Sequence, residues 1–566
     1  MGRALLGKGV WIERLGLAAA ALVTLAILGF YATRLALPLP LFAGDEAAYL
    51  IRAIYSPAAV AADPFVASLN NGVHLSVIRA VYKTGAPVIL GDRLVNAAAY
   101  LAGLALLWRA CAARTPAAER IGLGLLALAF PFYRFAASNL AEGLFVGVLV
   151  LFCLATGRWY RSRPLVHALA GGAVAAVLVL VKPNGMAVVA ALAVLAVLDA
   201  ATSGGWRRLA VRALLFAASF FAVGNLIQWG AQEPAANPLA FFVSDLYGRD
   251  LAAVTPPGAP ALAALALVSM GSALAILAGA PVVIGLADLA ARRRAQRRAF
   301  VAEGTDLVFL LLVASTAATV AMVALFAVKV SGTPGESGRL WGRYFEYCAP
   351  LLWLAAAPAL CKPIDARTRW TCAGVMLAGL AGLLWSFRAG IVLFPWDSSI
   401  LTAYFHPDPV RAPLGFAGSW RLMACGATGL AAAGLALRLR PVQAGLGLVL
   451  ALAVLSTWLD AVWLGPMAAQ RVALDHDIRT IRPALPPEPA AIALLAPDAN
   501  DGHLGFFLLQ ARPQVWLGPP GGQAPPGALA AVQAVVVSGP ETPPDGPWVR
   551  TFQGRELSLF RRPPGG

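Results

Sequence analysis

Charge is scarce in this chain. Charged side chains make up 13% of its 566 residues and hydrophobic ones 59%, a balance that excludes an ordinary soluble domain. The six cysteines, Cys111, Cys153, Cys348, Cys361, Cys372 and Cys425, lie in or beside apolar runs with no CxxC pair and no histidine close by. That excludes a disulfide framework and a zinc site, and leaves small packing residues. The five histidines form no HExxH pattern, and the glycines form neither GxGxxG nor a Walker loop, so no nucleotide site is expected. No repeat relates the two halves, as it would in many transporters. The formal charge of +16 is spread over arginines in short loops rather than gathered on a polar face with a recognition motif. Nucleic acid is therefore excluded as a partner, and anionic membrane lipid is the natural one.

What is abundant is apolar sequence of bilayer-spanning length. Runs of about 17 to 25 residues cross a membrane as helices, and about thirteen are present. They lie near 15–37, 93–112, 119–136, 139–156, 165–181, 184–201, 208–230, 261–286, 306–329, 343–361, 370–391, 414–436 and 442–464. Alternate loops, among them "RACAARTPAAER", "GRWYRSRP", "ARRRAQRR" and "LRLRP", are short and arginine-rich. The positive-inside rule puts them, with the N-terminus, in the cytoplasm, and puts the other loops and the tail outside. The first run follows basic residues as a signal peptide would, but its length reads as an uncleaved anchor.

The expected fold is thus an all-α polytopic membrane protein with a small C-terminal α/β extracytoplasmic domain. Residues 1–465 form the membrane region, with a first outer loop at 38–92, and residues 466–566 the outer domain. In the first loop "DEAAYLIRAIY" and "HLSVIRAVYKTG" read as short amphipathic helices lying in the interface. In the tail "AAIALLAPDA", "PQVWLGPP", "AVQAVVVSG" and "RELSLFRR" read as strands, and "GHLGFFLLQA" and "PGALAAV" as short helices.

Charges at the outer helix ends come from distant parts of the chain: Asp45, Glu46, Arg52, Arg93, Arg134, Glu142, Lys182, Arg339, Arg343 and Glu346. Cations there run against the positive-inside bias, and the phosphate of a lipid-linked substrate would give them a purpose. Arg93 could equally snorkel from a helix end, and Arg134 pair with Glu142. Lys182 interrupts two apolar helices at a Pro-Asn-Gly turn. Arg339 and Arg343 follow a Gly/Ser/Pro-rich stretch suited to closing over a headgroup. His74 and His406 in outer loops, His476 and His503 in the tail and His167 at a helix end read as loop or packing residues.

Five stretches, "GDEAAYLIRA", "GDRLVNAAAYLAGL", "SNLAEGLFVGVLVLF", "LVKPNG" and "GRYFEYCAPLLW", carry a resemblance in this order and topology. They are similar to the GT-C superfamily of polyprenyl-phosphate-sugar-dependent glycosyltransferases, in its protein O-mannosyltransferase and aminoarabinose transferase branch. The first outer loop departs from that pattern: it reads "SLNNGVHLSV" where relatives carry His-Pro-Pro or Lys-Pro, so His74 or Asn71 would substitute.

The resemblance implies a hexosyl- or pentosyltransferase of the cytoplasmic (inner) membrane. It would move a sugar from polyprenyl phosphate to an acceptor hydroxyl of a glycan, lipid or protein on the periplasmic side, with inversion. Asp45 is the expected base, because an alcohol needs one within hydrogen-bond reach. Glu46 would orient the acceptor or, with Asp45, hold Mg²⁺ or Mn²⁺. Lys182, Arg343, Arg339, Arg134 and Arg93 are the expected donor-phosphate cations, since fixed positive charge stabilises the leaving phosphate. Glu142, Tyr49, Arg52, His74 and Tyr344 are expected in support. The competing readings are a secondary transporter of an anionic or lipidic substrate and a lipid-linked polysaccharide ligase or polymerase.

Overall fold

The computed structural model describes residues 2–55, 66–67, 69, 71–230, 258–296, 304–330, 338–394, 396–404, 417–487, 491–496, 502, 504–505, 514–517, 529, 532–538 and 546–563. His406, His503, the Gly/Ser/Pro-rich stretch before Arg339 and most of the two tail segments read as short helices lie outside the described residues.

In chain order the helices are α1 (Gly2–Leu35), α2 (Ala43–Ile54), α3 (Gly72–Lys83), α4 (Val88–Ala112), α5 (Ala117–Ala129), α6 (Tyr133–Ala136), α7 (Glu142–Trp159), α8 (Pro164–Val181), α9 (Gly185–Ser203) and α10 (Trp206–Gly230). They continue as α11 (Ala259–Gln296), α12 (Gly304–Lys329), α13 (Cys348–Ala355), α14 (Ala357–Leu360), α15 (Ala366–Arg388), α16 (Ala417–Ala436) and α17 (Pro441–Ile481). Among the described residues ten helices are long and apolar enough to cross a membrane: Ala18–Leu35 of α1, α4, α7 to α10, Ala259–Arg294 of α11, α12, α15 and Pro441–Val462 of α17. The chain is a multi-pass membrane protein.

Each of the ten coincides with an expected span; of the other three, two are broken and one is a continuous helix. The run near 119–136 breaks where Phe130 turns extended ahead of Pro131, since the residue before a proline is pushed out of the helical region. The run near 343–361 begins its helix only at Cys348 and divides into α13 and α14. The run near 414–436 is the 20-residue α16.

Local chemistry sets several helix ends that matter for the site. Lys182 precedes Pro183 and adopts φ −155°, ψ 134°, so α8 stops there and α9 restarts after a three-residue turn. Asp365 caps α15 by accepting the Thr368 N–H at 2.7 Å, as an N-cap carboxylate should. On α7, Gly143 and Gly147 lie four residues apart and face α4, where an added Cβ would collide with the carbonyls of Asn96 and Ala99. Small residues at this spacing let membrane helices meet backbone to backbone, and they seat α4 against the start of α7.

The C-terminal sheet has the order β2-β1-β3-β5-β4, from β1 (Ile492–Ala496), β2 (Gln514–Leu517), β3 (Ala534–Ser538), β4 (Val549–Gln553) and β5 (Leu557–Arg561). β1 runs parallel to β2 and β3, while β5 is antiparallel to β3 and β4. The two-residue alternation of strands divides the sheet cleanly. Ile492, Leu494, Val536, Leu557 and Leu559 pack on Leu474, Ile478 and Ile481 of α17 and on Leu39, while Ala493, Val535, Val537 and Phe560 pack on the other face. The expected boundary at 465/466 falls inside α17, which runs through Pro466 without ending; one proline removes a single helical hydrogen bond and kinks rather than stops so long a helix. Asp477, near the end of α17, accepts the backbone N–H groups of Glu556 (2.7 Å) and Leu557 (3.1 Å), fastening helix to sheet.

Candidate active site

The cluster is assembled from α2, the α7 start, the α8–α9 turn and the 3-10 turn Gly342–Tyr344. Asp45, in the first turn of α2, places Oδ2 2.5 Å from Arg343 Nη2. Arg343 Nη2 also donates to the Tyr344 hydroxyl at 3.2 Å. The same ring carries Lys182 on its face, with Nζ 4.3 Å from the centroid, so one tyrosine holds two cations near each other by their attraction to its π face. Lys182 Nζ is 2.5 Å from Glu142 Oε1 at the first turn of α7. Of these side chains only that of Asp45 is substantially open, at 37% exposure, against 7% for Lys182 and 8% for Arg343.

Electrostatics follow from the packing. Burial pushes the Asp45 carboxyl up, but Arg343 beside it, with Arg339 and Lys182 further off, outweighs burial and holds it below the ordinary value. Burial draws the Lys182 ammonium down, Glu142 opposes this, and Arg343 adds to the fall. Asp45 is thus an ionised carboxylate that faces two cations and open space.

Arg339 forks onto Asp397, with contacts of 3.2 and 2.5 Å, and lies 4.0 Å over the Trp341 ring. Burial raises the Asp397 carboxyl and Arg339 counters it. The segments around them are joined by main chain as well: Leu340 N–H to Val392 O at 2.9 Å, Val392 N–H to Gly338 O at 2.8 Å and Arg343 N–H to Asp397 O at 2.5 Å. Gly342 has no room for a Cβ against Glu346 and the Asp397 carbonyl.

Glu46 departs from its expected role. Consecutive residues on a helix point about 100° apart, so with Asp45 facing the opening, Glu46 faces the core and is fully buried. Its Oε1 accepts the N–H groups of Leu41 (3.1 Å) and Phe42 (2.9 Å), and its Oε2 that of Asn139 (2.8 Å). The pair therefore does not fit a cation held by both carboxylates, and among the described residues no group of three or more His, Cys, Asp or Glu side chains could hold a metal ion.

Arg93 and Arg134 also leave the expected phosphate set, because their guanidinium groups are spent on the protein. Arg93 donates to the carbonyls of Leu37 (2.6 Å) and Leu39 (2.7 Å), with Glu46 Oε2 at 3.7 Å. It fixes the chain between α1 and α2. Arg134 donates to Ser398 O at 2.6 Å and reaches Asp460 Oδ1 at 2.8 Å, rather than pairing with Glu142.

His74 on α3 is fully buried, 3.2 Å from Asp92 Oδ1, and meets the Tyr49 ring edge-on at 5.1 Å. Asp92 in turn accepts from Asn139 Nδ2 at 3.0 Å. Asn71 donates to Val181 O at 2.7 Å, beside Lys182. These residues tie the first-loop helices to the bundle. Arg52 is half-buried on α2 and its carbonyl accepts from Arg79 at 3.4 Å.

Sequence reasoning missed Asp397 and Asp460, the partners of Arg339 and Arg134. The first carried a signal, since "WDSS" sits in a loop that the positive-inside rule expects outside. The second is one acidic residue inside an apolar run, where an ionisable side chain marks a partner or a function.

An apolar helical bundle, two interfacial helices in the first loop, a charged cluster at the end of the bundle that carries them and a C-terminal sheet at that same end define the GT-C membrane fold. Two solved structures share it along almost their whole length. The crystal structure of ArnT from Cupriavidus metallidurans in the apo state matches with a TM-score of 0.53 and 16% sequence identity, over 98% of each chain. The same protein bound to undecaprenyl phosphate matches with a TM-score of 0.52 and 16% identity, again over 98% of each chain. ArnT is an aminoarabinose transferase. No protein-family model matches the chain, and no curated protein matches it by sequence.

Proposed function

We propose that the chain is a GT-C glycosyltransferase of the cytoplasmic membrane, with its N-terminus inside and its active site on the periplasmic face. It transfers a sugar from a polyprenyl phosphate to an acceptor hydroxyl. The observation that carries the reading is Asp45, the open carboxylate of the cluster, set against Arg343 and Lys182 on a shared tyrosine. The arginine-rich loops on the opposite side support the orientation, and the fold shared with a protein solved with undecaprenyl phosphate supports the donor class.

In the charged cluster Asp45, Glu142 and Asp397 offset Lys182, Arg339 and Arg343. A donor phosphate arriving at Arg343 and Lys182 competes with Asp45 for Arg343 and frees the carboxylate as it binds. Asp45 then takes the proton of the acceptor hydroxyl while that oxygen attacks the anomeric carbon from the face opposite the phosphate. The C–O bond to phosphate breaks, its electron pair goes to the phosphate oxygen, and the products are an inverted glycoside and polyprenyl phosphate. Lys182 and Arg343 neutralise charge that grows as this bond breaks, so their help is greater in the transition state than before it.

Glu46 is assigned to positioning: it ties the backbone of Leu41 and Phe42, just before α2, to that of Asn139 and so aims Asp45. Arg339 supports the Arg343 turn through Asp397. Binding of undecaprenyl phosphate to the purified protein tests the donor site. The wild type should bind it, and Lys182→Ala and Arg343→Ala should each weaken binding about tenfold or more; equal affinity in all three removes the phosphate site.

A further inference from the structure

A second buried polar chain runs beside the cluster, and the transfer step does not use it. Glu346 has no exposed surface. Its Oε1 accepts the Ser398 hydroxyl, and its Oε2 accepts the Ser399 N–H (2.7 Å) and hydroxyl (2.8 Å). Arg134 grips the same two residues from the other side through their carbonyls, at 2.6 and 3.4 Å. Its remaining reach goes to Asp460 at 2.8 Å, which also has Arg34 at 4.0 Å. Asp460 lies on α17, the helix whose far end is fastened to the outer sheet.

A sealed carboxylate is costly, and an apolar residue of equal volume often serves packing better. What Glu346 gains for that cost is geometry. Its own N–H bonds Gly342 O at 2.8 Å, closing the turn from which Arg343 projects, and Arg343 N–H bonds Asp397 O one residue before Ser398. The turn is therefore held twice to the 397–399 segment, once by main chain and once by this carboxylate.

We propose that Glu346 is the positioning residue of Arg343, and that Arg134 of α6, itself held by Asp460 of α17, braces the same segment. This rests on Arg343 as a donor-phosphate cation. A guanidinium displaced by about 1 Å loses much of its worth at a transferring phosphate. Glu346→Gln keeps the volume but presents an NH2 donor where an acceptor is needed.

The test compares wild type, Glu346→Gln and Ser399→Ala for undecaprenyl phosphate binding and for the KM of donor and acceptor. Glu346→Gln should weaken lipid-phosphate binding and raise donor KM about 10- to 100-fold, with acceptor KM unmoved. Ser399→Ala, which keeps the N–H bond, should show the same pattern at about threefold, and it supplies the answer should Glu346→Gln fail to fold. A residue that served packing alone would lower thermal stability and leave both KM values in place, and that result overturns the proposal. Wild type that binds lipid phosphate alongside variants that bind it equally well removes the positioning role only. Wild type that does not bind it removes the donor site and this role together.

Discussion

Asp45 and Arg343, 298 residues apart in sequence, meet with Oδ2 and Nη2 2.5 Å from each other at the open end of the helical bundle. The pair is unequal: the carboxylate is 37% exposed and the guanidinium 8%. A charge that stays partly in water can exchange its partner at modest cost, whereas the buried one needs a partner at all times. On the proposed donor site, an incoming phosphate would therefore take Arg343 and release Asp45.

Asp45→Asn follows directly from that exchange. It removes the carboxylate that competes for Arg343, so it should bind undecaprenyl phosphate at least as tightly as wild type. Titration of the lipid phosphate into both proteins checks this, and markedly weaker binding by the variant would show that Asp45 does not compete with the donor.

The pH dependence has a definite sign. Asp45 is held below its ordinary value because its cations outweigh burial, so the acid limb of kcat/KM for the donor should lie below the usual carboxylate range. Arg343→Gln removes the nearest cation and leaves burial, which moves the Asp45 value up. Rate is lost as pH falls through that value, so the variant should lose activity at higher pH than wild type. Coincident acid limbs in the two profiles would break the link.

Lys182 and Glu142 form a sealed pair, at 7% and 5% exposure. Removing one partner strands the other, and Lys182→Ala should cost about 3–5 kcal/mol of stability. Lys182→Met with Glu142→Gln should recover most of that stability but not lipid-phosphate binding. Thermal unfolding and binding, measured together, separate the two effects, and recovery of binding in the double variant would deny Lys182 its place at the phosphate.

Much of this architecture was legible in the sequence because it rests on local rules. Length and apolarity placed ten continuous helices, the amphipathic stretches after Asp45 and around His74 became α2 and α3, and Lys-Pro-Asn marked the turn that presents Lys182. Side-chain direction was not legible. Asp45 and Glu46 are neighbours in sequence yet point to different surroundings once α2 winds, and Arg93 and Arg134 resemble Arg343 in sequence but are consumed by backbone carbonyls. Their partners, such as Ser398 for Arg134 at a separation of 264 residues, are set by helix packing that no local pattern encodes. β4 was missed because its exposed residues lack the apolar signal of the other strands.

Glu46→Gln is expected to act through structure. The amide loses an acceptor toward one of the three backbone N–H groups of Leu41, Phe42 and Asn139, and stability should fall by about 1–3 kcal/mol. Activity should fall through a misaimed Asp45 while donor affinity stays near that of wild type. A variant of unchanged thermal stability would contradict the buried role.

The most direct measurement places the purified protein in lipid vesicles with polyprenyl phosphates carrying a panel of radiolabelled sugars and a membrane extract as the source of acceptor. Wild type should move label from at least one donor onto acceptor, and Asp45→Asn should lower that rate about 10²- to 10⁴-fold. Absence of transfer and of hydrolysis from every donor, together with uptake of an anionic solute into the vesicles, would contradict the account.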